Sequence, residues 1–453
     1  MHAAVVPEPA SNLRTATPSE APARTPWRSY KERVAQLAQR VVDGQRPIRV
    51  LNSIKWPQDV FERFRDSNWK EMPQVGPEEY ARQAPGFDLD AKIDEFRELE
   101  AATRRELGPD DPIGQIIEAN AREYADVVEM LRARGTPQFY EYSRRLYGSA
   151  IDFFSDRKTR VRDVARDMYE ILTNLDDAML GPQPERDIPA ERAVEILNER
   201  LNAFFGDGRV RVMLDDGIVA DAAAGGDYLK IRRGASFSAR DVRVLEVHEG
   251  WTHLATSLNG QRQPVARWLS KGAPRTAAAQ EGLAALLEVL TLVSHPSRAR
   301  RLNDRVLAVD KAEDGASFLE VFEWFRTEGY TEEVCFSNTC RIFRGGVLSG
   351  GAPFTKDIVY TKGIVQNYNF LRSAIAAGRP DLIRWLFVGK VSLEDVPVLA
   401  ARAHLGFVHP PEYLPEIFRD LNGLAIWLGI STFWGRMTSA AVQQHYEKLF
   451  ARV

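Results

Sequence analysis

The chain has 453 residues, 44% hydrophobic and 27% charged, the balance of a soluble globular protein of about two or three domains. Its 60 Lys and Arg against 63 Asp and Glu leave a net charge of -3, which excludes the basic footprint of a nucleic-acid binder. No run reaches the roughly 18 apolar residues of a membrane span, and two cysteines, Cys335 and Cys340, build neither a disulfide framework nor a CxxC knuckle, which together suit a reducing cytoplasm.

In chain order, residues 1–26 read as a disordered tail rich in Ala and Pro, without the basic and apolar regions of a secretory signal. Residues 27–190 are expected to form a helical N-terminal region, broken near Lys70–Pro77 and Pro85–Phe87. Helices are expected over Leu89–Leu107, Ile113–Arg134 and Val161–Leu180, with an aromatic-rich segment at Thr136–Gly148. Residues 191–453 are expected to hold the chemistry. There, Val210–Leu214, Ile218–Ala222 and Tyr228–Arg232 are short, apolar and separated by Asp and Gly, which predicts a small antiparallel sheet. Long helices follow, so the expected fold is mainly α (α+β), a helical zincin-like architecture with the sheet beside the active-site helix. The Arg298, Arg300 and Arg301 run reads as a solvated helix end, His295-Pro296 as the end of a helix, and Leu421–Trp434 as a core helix.

The segment Ser238–Gly260 predicts one helix, with Ser238 and Asp241 as a capping box and Asn259-Gly260 as its stop. Inside it stands His248-Glu249-Gly250-Trp251-Thr252-His253. The two histidines are five residues apart, one more than in HExxH. In a regular helix that spacing turns the rings about 140° apart. A single π-bulge restores the common face, and Gly250 is placed to ease it. The next helix, Thr276–Ser294, is nearly all apolar but carries Glu281 and Glu288, seven residues apart on one face. Buried carboxylates need partners, and a metal is an efficient one. Two imidazoles and one carboxylate suit Zn2+ with an open position for water. His248, His253 and Glu281 are therefore the candidate ligands, Glu249 the candidate general base, and Glu288 a candidate partner for a ligand histidine.

At these residues the chain resembles the bacterial flavohemoglobin expression-modulating QEGLA-motif proteins, a family similar to the microtubule-associated tyrosine carboxypeptidases of animals. The resemblance rests on VHEGWTHLATSLNG, on Gln280-Glu281-Gly282-Leu283-Ala284, and on PQFYEYSRRLYG at 137–148, CRIFRGG at 340–346 and FTKDIVY at 354–360. It implies a gluzincin-like zinc metallopeptidase with the same ligands and base, acting at a peptide or protein C-terminus. In the animal enzymes the reaction removes a C-terminal tyrosine from tubulin, and that substrate is not carried over to this chain.

A carboxypeptidase needs a cation for the terminal carboxylate and a donor for the oxyanion. The segment from Cys340 to Tyr368 is dense in both: Arg341, Arg344 and Lys356 for the carboxylate, Tyr360 or Tyr368 for the oxyanion. Two other readings stand beside the peptidase. One is a zinc amidase acting on a small molecule or modified peptide. The other is a non-catalytic regulatory protein with a structural zinc, which has no need of Glu249.

Overall fold

The computed structural model describes residues 26–434, apart from 176–179, 182–183 and 219, together with residues 442 and 446. The expected tail lies outside these residues, except that Pro26 already opens a helix. His445 also lies outside them.

The fold is mainly helical, an α+β arrangement as expected. Helices Pro26–Gln45, Leu89–Leu107, Pro112–Arg132 and Pro137–Tyr147 pack on one another in the N-terminal part. Three of their starts follow simple capping chemistry. Asp88 and Asp111 each accept a backbone N–H three residues on, and Pro112 and Pro137 take the first helical position. The aromatic segment is thus the helix Pro137–Tyr147, and Val161–Thr173 is shorter than its apolar pattern suggests.

Five short strands follow: β1 (Ile188–Pro189), β2 (Arg211–Asp215), β3 (Ala222–Ala224), β4 (Tyr228–Arg232) and β5 (Ser236–Phe237). β1 and β5 form an antiparallel pair. The other three form a sheet of order β2-β4-β3, in which β2 runs parallel to β4 and β3 antiparallel to it. The sheet is therefore mixed, not purely antiparallel as the three runs suggest. The reason is its central strand: β4 enters between the other two, so β2 and β3 are not neighbours despite being consecutive. β3 is also displaced, covering Ala222–Ala224 where the apolar run suggests Ile218–Ala222.

Two apolar cores result. The larger runs from Val34 to Leu428 and joins the N-terminal helices to those after the sheet. The smaller packs the sheet on helix Ala190–Phe205. The motif helix serves both, with Val244 and Val247 in the large core and Val242, Leu254 and Ala255 in the small one. Fastening it in two cores fixes its position to within packing tolerance. It begins at the Ser238 cap, where Ser238 and Asp241 bond reciprocally as the sequence predicts. It does not stop at Asn259-Gly260 but runs to Gln261. The Asn259 amide is used elsewhere, donating to the carbonyls of Phe387 and Tyr413 from a buried position.

Three more expectations need correction. His295 is the cap that opens helix Pro296–Glu313, with Pro296 at its first position. The arginines just after it are not a solvated run. Arg300 reaches Glu328 at 2.8 Å, and Arg298 is drawn inward by Glu288. Helix Asn422–Trp434 is no core helix: Leu424 and Leu428 are buried, while Ile426, Trp427 and Ile430 are exposed. Its run of apolar residues concealed a one-sided contact with helix Val359–Ala376. Among the described residues no helix is long and apolar enough to cross a membrane.

Candidate metal centre

The helix that opens at Ser238 changes character at its centre. Glu246–Leu254, which spans the whole motif, is a π-helix set between α-helical turns. A wider turn is what the five-residue spacing demands, and it brings both imidazoles to one face. The Thr252 hydroxyl donates to the Val247 carbonyl, five residues back, at 3.3 Å. The π segment is braced at its start by buried Glu246, which pairs with Arg200 at 2.9 Å and Arg243 at 2.7 Å. Gly250 has a further reason beyond helix distortion. A Cβ there would stand 2.4 Å from Leu201 Cδ2, so the end of that side chain, on helix Ala190–Phe205, would have to turn away to admit one.

The third donor comes from helix Ala277–Leu290. It crosses helix Val359–Ala376 with Gly282 against Gly363, where a Cβ on either would lie 2.0 Å from the other helix's backbone. This crossing sets Glu281 opposite the histidines. Glu281 Oε2 is 3.6 Å from His248 Nε2 and 3.5 Å from His253 Nε2. All three donor atoms lie within 4.8 Å of one another, a group able to hold a metal ion. Tetrahedral zinc with bonds of about 2.0–2.1 Å separates its ligands by roughly 3.3 Å. The two separations from Glu281 to the histidines lie within a few tenths of an ångström of that spacing.

The surroundings orient these donors. Buried Glu288 accepts from His248 Nδ1 at 2.6 Å, which directs Nε2 toward Glu281. Arg298 in turn donates to both Glu288 oxygens, each at 2.6 Å. Burial opposes the Glu288 charge, but the Arg298 guanidinium overrides it and holds the carboxyl at about 2. Burial likewise disfavours charge on His248, yet its bonds to Glu281 and Glu288 outweigh this and raise it to about 9. His253 is pushed down by burial. For Glu281, burial is overcome by Lys356 and both histidines, which hold it well below the usual range. Two imidazoles and a carboxylate converging on one point are a donor set suited to a divalent cation, which binds as the imidazoles give up their protons.

Glu249 accepts from the Ala224 N–H at 3.3 Å, which ties it to β3, the edge strand of the mixed sheet. Lys356 Nζ lies 3.6 Å from Glu281 Oε1 and 5.9 Å from the centre of the Tyr360 ring. Tyr360 is raised by burial first and by the Glu281 charge second. Arg341 is committed to buried Asp357 through two bonds of 2.7 Å. Arg344 sits 5.8 Å from the Phe354 ring, its Nε without a partner. Tyr368 donates its hydroxyl to Ser431 at 2.9 Å. The structure thus gathers Lys356 and Tyr360 at the donor group and gives Arg341 and Tyr368 other partners.

Two residues at the site carried no readable signal in the sequence. Lys390 donates to the His253 carbonyl at 3.0 Å, and burial lowers it to about 8. It stands in a loop of ordinary composition. Arg298 was hidden in a run of arginines that looked solvent-facing. The segments 137–148, 340–346 and 354–360 do converge. Thr355 bonds Ser143 at 2.9 Å, Phe354 packs on Phe139 and Tyr147, and the Phe354 N–H reaches the Ile342 carbonyl at 2.7 Å.

No curated protein matches the chain. A family profile described as microtubule-associated tyrosine carboxypeptidase matches residues 62–436, which includes every residue of the site. The chain belongs to the microtubule-associated tyrosine carboxypeptidase family.

Proposed function

We propose that the protein is a zinc-dependent carboxypeptidase that hydrolyses a peptide bond next to a free C-terminus. One observation carries this reading. The π-helical motif places His248 and His253 about 3.5 Å from Glu281, with Glu249 beside them on the same segment. When bound, zinc supplies Lewis acidity and lowers the pKa of a water to about 7.

The chain's own groups do the rest. Glu249 takes a proton from the attacking water at its carboxylate and delivers it to the leaving amine. Tyr360 stays a neutral phenol at physiological pH, so it retains a hydrogen to donate to the developing oxyanion. Tyr368 has already spent its hydrogen on Ser431. Lys356 receives the terminal carboxylate, with Arg344 behind it, while Arg341 fixes Asp357 and so the turn Thr355–Ile358 that carries Lys356. The edge strand Ala222–Ala224 pairs with the extended substrate backbone. The free thiols Cys335 and Cys340 suit the reducing cytoplasm, where we place the protein.

The test is Glu249→Gln, incubated with a mixture of peptides of varied C-termini and read by mass spectrometry. Zinc content should stay at the wild-type level while turnover falls by roughly 10²–10⁴. Wild-type turnover in the variant would remove Glu249 from the mechanism.

A further inference from the structure

The Arg298 that holds Glu288 also lines a separate cleft of about 340 Å³. The cleft lies on the Nδ1 side of His248, away from the Nε2 that faces Glu281. Its walls are the start of the motif helix, the segment before β3, and the first turn of helix Pro296–Glu313.

Four arginines face this space: Arg186, Arg240, Arg298 and Arg301. Only two carboxylates oppose them, Asp221 and Asp241. Both are already used. Asp221 pairs with Arg232 at 2.5 Å and with Arg186 at 3.4 Å. Asp241 pairs with Arg186 at 3.3 Å and accepts from the Ser238 N–H at 2.9 Å. Arg298 is matched by Glu288. Among the described residues, Arg240 and Arg301 make no direct ion pair, and of the carboxylates Arg301 feels only the more distant charges of Asp221 and Asp241.

Arg301 is half-buried and stands one helical turn from Arg298, so two like charges meet inside a partly enclosed space. The positive end of helix Pro296–Glu313 adds to the same field, with Ser297 and His295 at the wall. His295 Nδ1 and the Ser297 hydroxyl are bonded at 2.9 Å. A single carboxylate would satisfy one guanidinium. A tetrahedral dianion satisfies two forks and a hydroxyl at once.

We propose that this cleft binds a phosphate group, free or as a monoester, between Arg301, Arg240 and Ser297. The site is distinct from the metal centre and shares with it only Arg298. Its existence does not depend on the proposed hydrolysis, because its test reads binding alone.

The test is isothermal titration calorimetry of the full chain, with and without added zinc, with inorganic phosphate and with methyl phosphate. Both should bind the wild type. Arg301→Gln should weaken binding about tenfold or more, the loss of a charge-assisted bond. Arg240→Gln, an exposed position that does not threaten folding, should also weaken it. Arg105→Gln, which removes a surface partner of Glu98, should leave it unchanged. Tighter binding of methyl phosphate assigns the site to an organic phosphate, and equal or weaker binding assigns it to free phosphate. No measurable binding to the wild type, or wild-type affinity in both Arg301→Gln and Arg240→Gln, overturns the proposal.

Discussion

Replacing Gly282 by alanine tests the crossing that positions the third donor. The added Cβ would stand 2.0 Å from the Gly363 carbonyl carbon and 2.3 Å from its Cα, where ordinary contact begins at 3.4 Å. The obstacle is backbone on both sides, so no side chain can turn away. The two helices must part by roughly 1.4 Å, more than a close-packed interior absorbs without loss. Overpacking costs about 1–3 kcal/mol, and a rigid obstacle belongs at the upper end. Alanine returns about 1 kcal/mol through its better helix propensity. The net expected loss is about 2 kcal/mol, read from the denaturant midpoint. The effect on zinc is larger. A ligand oxygen must sit within about 0.2 Å of its bond length, and Glu281 is the residue before the collision. Zinc affinity, measured by competition with a chelating dye, should fall at least about tenfold. Gly250→Ala is the control: its Cβ meets only the end of the Leu201 side chain, so a smaller loss is expected. Wild-type stability and wild-type zinc affinity in Gly282→Ala would refute the reasoning.

Other perturbations follow from the same geometry. Glu288→Ala removes the acceptor that orients His248 and strands Arg298, so zinc affinity should drop about 10–100-fold by competition titration. Tyr360→Phe should lower kcat about 10²–10³-fold with little change in KM, whereas Tyr368→Phe should cost no more than the Ser431 bond, about 1 kcal/mol of stability. Glu123 offers a pH signature away from the metal. Burial raises it to about 7 from 4.5, although the Arg275 N–H bonds it at 2.7 Å. Between these values the folded state holds a proton that the unfolded state has lost, so stability falls as pH rises through the window. The loss is about 3 kcal/mol by pH 8. Glu123→Gln should abolish that slope in denaturation curves from pH 4 to pH 8, and an unchanged slope would show that Glu123 is not its source.

The local chemistry of the site was readable because it depends on spacing. A step of five residues from His248 to His253 fits no regular helix face, and the chain answers with a π segment. The Ser238 cap and the shared face of Glu281 and Glu288 are likewise local properties. What escaped the sequence is set by contacts distant along the chain. Nothing in Val212 or Leu229 says that their strands run parallel, since that depends on β4 inserting between β2 and β3. Arg298 looks like its neighbours until Glu288 is seen ten residues back and buried. Lys390 reaches the His253 carbonyl across 137 residues of chain. Asp357 claims Arg341 because a turn, not a periodic element, presents it. The glycine of the QEGLA segment owes its place to a second glycine, Gly363, on another helix.

The central claim is that His248, His253 and Glu281 together hold a catalytic zinc ion. Mass-spectrometric metal analysis of the purified wild type and of the His248→Ala, His253→Ala and Glu281→Ala variants tests it most directly. The account predicts about one zinc per wild-type chain and a large loss in each variant. A wild type without zinc after reconstitution, or variants that retain it in full, would contradict the account.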